Sequence, residues 1–150
     1  MKEYRFYGWE NADVTPVDEK YKMIKDAREL YDLLSDGLWC RESCAPRMRG
    51  DWSEENKTLG QCSITSFLVQ DIFGGIVRGI PLENGYVHCF NDIDGHVFDL
   101  TSEQFGNEKL DYNNNTVQKR EDQLFAHDRL EKLERYQCLK GRLDERLSVK

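Results

Sequence analysis

Apolar residues recur at helical spacing in three stretches of the chain and cluster at strand spacing in three shorter ones. Ile64, Phe67, Leu68 and Ile72, with Val69 and Phe73 widening the face, predict a buried helix that starts near Cys62. Gly60 permits a tight entry to it and Gly74-Gly75 stop it. Tyr21, Ile24, Ala27, Leu30 and Leu34 form the stripe of an amphipathic helix over 18–36, capped by Asp18 and ended at Gly37. A long final helix is expected over about 116–147, opened by Thr116. Its stripe is Leu124, Leu130, Leu133, Tyr136, Leu139, Leu143 and Leu147, with Gly141 as a place for a kink or an end. Between the second and third helices, 76–82, 86–91 and 96–101 read as three strands of an antiparallel meander. Residues 1–17 read as an edge strand or an arm across the core, and 37–60 as a loop long enough to suggest a role. The fold class expected is α+β: an antiparallel sheet packed on a central helix that carries Cys62, with a long C-terminal helix. One domain over 1–150 is expected, its core lying at about 18–112.

Composition narrows the classes of partner. The chain has 150 residues and a net charge of −7, which argues against a general nucleic-acid binder. No run of about 18 apolar residues exists, so no transmembrane helix is expected. The N-terminus lacks the apolar block and cleavage site of a signal peptide, and the five cysteines lack a disulfide-rich spacing. A cytoplasmic protein with reduced thiols is the expectation. No cofactor is implied. The final helix either packs on the sheet or pairs with a second copy of the chain.

The position of Cys62 brings in chemistry. At the first turn of a helix, unpaired backbone N–H groups and the positive end of the dipole favour the thiolate, and the same N–H groups can hold an oxyanion. A nucleophile also needs a base. If Asp94-Gly95 is a two-residue turn, Phe90 lies opposite Asp99 and His88 is one diagonal step away on the same face. A four-residue loop puts His88 directly opposite Asp99, whereas a three-residue loop puts the two on opposite faces. Two of the three turns therefore let Asp99 orient His88, which would take the Cys62 proton and return it to a leaving group. His96 alternates onto the face opposite Asp99, and His127 lies on a charged, solvated stretch. Gln61, Asn56 and Ser63 are candidate oxyanion or substrate contacts. Arg47 and Arg49, on the loop leading to Cys62, are candidates to face an acidic substrate group. Cys40 and Cys44 lack the second ligand pair of a structural zinc site, so no metal is expected.

These segments carry a resemblance. Gly60-Gln61-Cys62 is similar to the nucleophile motif of transglutaminases. Val87-His88-Cys89-Phe90-Asn91-Asp92 resembles their His-x-aromatic-Asn-acid strand, and Asp94-Gly95-His96-Val97-Phe98-Asp99-Leu100-Thr101 their Asp-Gly-x-x-x-Asp-x-Thr segment. The resemblance implies a papain-related core with Cys62 as nucleophile, His88 as base and Asp99 as orienting acid. Ser63 stands where that family has an aromatic residue, and the interval from Cys62 to His88 is shorter. Hydrolysis or another acyl transfer on an amide, peptide or ester is therefore expected rather than crosslinking. A non-catalytic binding or regulatory module that keeps the fold is the alternative. A thiol redox or metal module on Cys40 and Cys44 is a third reading. Over nearly its whole length the chain also resembles the small bacterial YunG-like family. The segments that carry this are Cys44-Ala45-Pro46-Arg47-Met48-Arg49, Gly60–Thr65, Gln70–Gly75 and Phe98–Phe105. That likeness implies no particular activity.

Overall fold

The computed structural model describes residues 2–125 and 130–148. Its elements are α1 (Ala27–Leu33), α2 (Cys62–Phe73), β1 (Ile76–Pro81), β2 (Val87–Ile93), β3 (His96–Phe98), β4 (Thr116–Gln118), α3 (Arg120–Gln123) and α4 (Leu130–Ser148). The architecture is α+β, a four-stranded antiparallel sheet in the order β3-β2-β1-β4 with a C-terminal helix.

Helix α2 occupies the centre because nearly all of it is apolar or small. Ile64, Phe67, Leu68, Val69 and Ile72 are buried on it, and Ser63, Thr65 and Ser66 are buried with them. One side packs on β2, where Asn91 Nδ2 donates to Ser66 O at 2.9 Å. The other side meets α4, where Asp71 accepts from Tyr136 Oη and pairs with Lys140 at 3.2 Å; Arg120 of α3 pairs with the same carboxylate at 3.0 Å. Trp39 Nε1 donates to Thr65 Oγ1 at 2.9 Å, anchoring the segment before α2 to the same core. Gly74 and Gly75 end α2 with φ of 81° and 77°, conformations that a side chain would strain.

The β2–β3 turn is the two-residue form. Ile93 pairs with His96, and Asp94 and Gly95 both take positive φ, at 52° and 89°. That twist matches the right-handed twist of the flanking strands. Beyond β3 the chain pairs with the N-terminal arm. Asp99 N donates to Tyr7 O at 2.9 Å, and Tyr7 N donates to Ser102 Oγ at 2.8 Å.

Three expectations need correction. The helix over 18–36 is broken: 19–21 is a single 3-10 turn capped by Asp18, and α1 begins only after Asp26, whose carboxylate accepts from Glu29 N at 3.0 Å. The carboxylate of Asp26 gives the backbone a second helix start and so interrupts the first. The stripe is nevertheless buried throughout, from Tyr21 to Leu34. Thr116 does not open the final helix; 116–118 is β4, which covers the free edge of β1 through Arg78↔Val117. Arg78 reinforces the join by donating to Asn115 O and to Asp92, both at 2.9 Å. Helix α4, Leu130–Ser148, continues through Gly141 without a break, and nothing crowds the backbone there. The reading of His127 lies outside the described residues. Among those residues, no helix is long and apolar enough to cross a membrane.

Candidate active site

The site lies where the start of α2 meets β2. Gly60 brings the chain in at φ +73°, so close to the preceding loop that a Cβ there would stand 2.5 Å from Cys44 Sγ. Gln61 follows as the N-cap without any side-chain cap bond. The first-turn N–H groups of α2, that of Cys62 included, have no partner inside the helix.

His88 and Asp99 are each 1% exposed, and His88 Nε2 lies 2.5 Å from Asp99 Oδ2. The turn geometry accounts for the pairing. With Ile93 opposite His96, the ladder carries Phe90 opposite Asp99, and His88 shares the face of Phe90. A buried carboxylate needs more than one donor. Asp99 accepts from Thr101 N and Oγ1 on Oδ1, at 3.1 and 3.2 Å, and from Tyr112 Oη on Oδ2 at 2.7 Å. The Tyr112 ring stacks on Tyr7 at 3.7 Å and meets Phe90 edge-on. The His88 ring is held edge-on by Phe105 at 4.7 Å.

With Nε2 committed to Asp99, Nδ1 is the ring nitrogen left to Cys62. The thiol and the imidazole line the same cleft. Cys62 is half-buried, whereas its neighbour Cys89 is buried. The Cys89 thiol, as donor to Cys62, is the largest influence holding Cys62 well below the ordinary thiol range. Burial opposes it, and the hydrogen bond and charge of His88 add to it. Cys89 is pushed up for the same reason, because a thiol donating to a thiolate gives up its proton reluctantly. Burial works against the imidazolium of His88, but the charge and hydrogen bond of Asp99, then those of Cys62, outweigh it and lift His88 to about 10. The arrangement favours a thiolate–imidazolium pair.

The pair opens onto a cleft of about 480 Å³, lined by Cys62, Ser63 and His88 on its floor and by Arg47, Tyr86 and Phe105 among others. A second hollow of about 560 Å³ lies beside Tyr7 and Tyr112, behind Asp99, and includes neither Cys62 nor His88.

The remaining sequence candidates divide. Ser63 and Arg47 line the cleft. Gln61, Asn56 and Arg49 are not among its lining residues. Gln61 is fully buried and its Nε2 donates to Cys40 O at 3.0 Å, so the amide braces the loop instead of facing a substrate. Its Oε1 has no hydrogen-bond partner among the described residues. Asn56 closes a short turn with Ser53. Arg49 donates to Cys44 O and Glu42 O at 3.0 and 2.9 Å, holding its own loop together. Cys44 packs beneath Gly60, and burial pushes its thiol up. His96 turns outward, with Nδ1 2.8 Å from Asn11 O. Sequence reasoning missed Tyr112 and Cys89. Cys89 sits beside the candidate base, and a thiol there was a signal available to find. Tyr112 comes from a polar stretch whose path no periodicity reveals.

The molecule is an α+β chain with a half-buried thiol at the start of α2 and a buried imidazole–carboxylate pair on the adjoining strands. The chain belongs to the YunG protein family, whose family model matches residues 15–148. It is 39% identical over 67 residues to "Uncharacterized protein YunG" of Bacillus subtilis (strain 168); the match covers 45% of this chain and 53% of that protein, about half the length of the relative. No solved structure matches the chain.

Proposed function

We propose that the protein is a cysteine-dependent hydrolase or acyltransferase acting on an amide, peptide or ester, built on a transglutaminase-like, papain-related core. The observation that carries this reading is His88 itself: one buried imidazole, bonded to Asp99 through Nε2, that lines the same cleft as Cys62. In the reaction, the Cys62 thiolate attacks the carbonyl carbon and the electron pair moves to the carbonyl oxygen. The unpaired N–H of Cys62 is the nearest first-turn donor for that oxyanion. His88 gives its Nδ1 proton to the leaving amine or alkoxide as the tetrahedral intermediate collapses to a thioester. A water, or an amine in acyl transfer, then loses its proton to His88 and attacks the thioester. Collapse returns the thiolate, the imidazolium and the free acyl product. Asp99 keeps its charge throughout, fixing the tautomer and steadying the imidazolium.

The test uses p-nitrophenyl acetate. A burst of nitrophenolate should accompany acetylation of Cys62, located by peptide mass mapping, and should vanish in Cys62→Ala and His88→Ala. An equal burst from Cys62→Ala, or acetylation no faster at Cys62 than at the exposed Cys138, would sink the reading. An intact fold with an inert Cys62 would favour the non-catalytic binding module instead.

A further inference from the structure

Arg47 is unusual among the arginines around the cleft. Arg49 is committed to two backbone carbonyls, and Arg135 is bound to Glu131, Ser43 O and Gly60 O. Arg47 has one partner among the described residues: its guanidinium lies 3.5 Å from the centroid of the Tyr86 ring. Stacking fixes the plane of the guanidinium but uses none of its N–H donors, which radiate in that plane and match a carboxylate in bidentate fashion. Arg47 belongs to the turn Pro46–Asp51, and Tyr86 immediately precedes β2. Their contact therefore joins two separate segments that line the cleft containing Cys62. The other charged lining residues are Glu131, Lys132 and Arg135. Glu131 pairs with Arg135, and Lys132 donates to Gln123 Oε1 at 2.8 Å. A cation with open donors thus lines the same cleft as the thiol in a chain whose net charge is −7, where the overall field would otherwise repel anions.

We infer that the cleft selects acyl donors that carry a carboxylate near the carbonyl under attack, with Arg47, held flat on Tyr86, as the group that receives it. The inference rests on the acyl-transfer reading above and adds the substrate class. Tyr86 acts as a positioning residue, because its ring sets the plane of the guanidinium.

The experiment compares alkylation of Cys62 by N-bromoacetyl-β-alanine and by its carboxamide, which share one electrophile and differ only in the carboxylate. Rates come from peptide mass mapping, with the exposed Cys138 as reference in the same molecule. The acid-to-amide rate ratio at Cys62, divided by that at Cys138, is the readout, so a general loss of folding cancels. The expected ratio favours the acid by about tenfold or more, the size of a charge-assisted contact, and shrinks as salt is added. Arg47→Gln should bring it to that of Cys138. Arg47→Lys should recover part of it, since a point charge lacks the bidentate fork, and Tyr86→Leu should give an intermediate value. A ratio equal to that of Cys138, or one unmoved by Arg47→Gln, overturns the inference while leaving a fast Cys62 intact. A Cys62 that reacts with neither reagent faster than Cys138 overturns the nucleophile reading and this inference with it.

Discussion

Asp99 Oδ2 receives both His88 Nε2, at 2.5 Å, and Tyr112 Oη, at 2.7 Å, so one buried oxygen serves a strand residue on one side and an aromatic from a later loop on the other. The carboxylate is thereby held from both sides, and the pairing leaves Nδ1 of the imidazole uncommitted to Asp99.

Replacing Asp99 by Asn keeps the shape and removes the charge. His88 then loses the anion that raises it, and its orientation is no longer enforced. Turnover of an ester by Cys62 should fall by roughly 10³–10⁴-fold, the loss that follows when a catalytic imidazole is misdirected. Tyr112→Phe is the contrasting variant. It removes one donor, should lower stability by about 1–2 kcal/mol in chemical denaturation, and should leave Cys62 reactive. Equal losses of turnover in the two variants would remove the orienting role from Asp99.

Alkylation of Cys62 by iodoacetamide should remain fast well below the ordinary thiol value of about 8.5 and stay level until His88 gives up its proton near 10. His88→Ala should move the low-pH limb upward, because one of the donors that hold the thiolate is gone. Stability follows the same linkage. The folded value of His88, about 10, lies above its unfolded value of about 6.5. The stabilisation is therefore fully present below about 6.5 and is lost as pH rises through about 10. The stability gap between the parent and His88→Ala should narrow across that window, and a gap that widens would contradict the ion pair.

Cys89 gives a cleaner probe of the thiolate than His88, since it carries no catalytic proton. Cys89→Ala removes the largest stabilising donor to Cys62 and should raise the pH at which Cys62 alkylates. Cys89→Ser keeps a donor and should restore most of the shift. The readout is the pH midpoint of alkylation, which should rise in Cys89→Ala and stay close to the parent value in Cys89→Ser, a difference that a simple packing defect would not produce.

Gly60→Ala tests the entry to α2. The new Cβ would meet Cys44 Sγ at 2.5 Å and Ala45 N at 2.8 Å, on a backbone at φ +73°. Strain of this kind costs on the order of 1–3 kcal/mol, so thermal unfolding should shift down measurably. Alkylation of Cys62 should slow by more than the change in folded fraction, because the turn that aims the thiol must move.

The legible parts of this molecule were those written in local pattern. The stripe Ile64, Phe67, Leu68, Ile72 and the glycine pair behind it placed α2 within a residue of its observed bounds. Asp94-Gly95 dictated a turn whose two-residue form carries His88 and Asp99 to one face. What escaped depended on partners distant in sequence. Residues 116–118 become a strand only because β1 offers them an open edge, and Thr116-Val117-Gln118 alone carries no alternation to announce it. Asp26 lies inside the helix expected over 18–36, and its carboxylate takes the N-cap role that splits it. Gln61 looked like a substrate contact because it adjoins Cys62, but a helix turns adjacent residues to different sides, and its amide went to Cys40. Tyr112 reaches Asp99 through a coil that has no period at all.

Arg135, on α4, has a consequence for how the site comes into being. Its Nη1 binds Ser43 O and Gly60 O, carbonyls 92 and 75 residues earlier in the chain, and is buried in doing so. The turn that leads into Cys62 is thus tied down by a side chain that follows it much later in the chain. During translation the thiol would leave the ribosome well before this clasp is made, with the turn beneath Gly60 still unfastened. On the proposed reading, the geometry that favours the thiolate is complete only once α4 has docked on this turn.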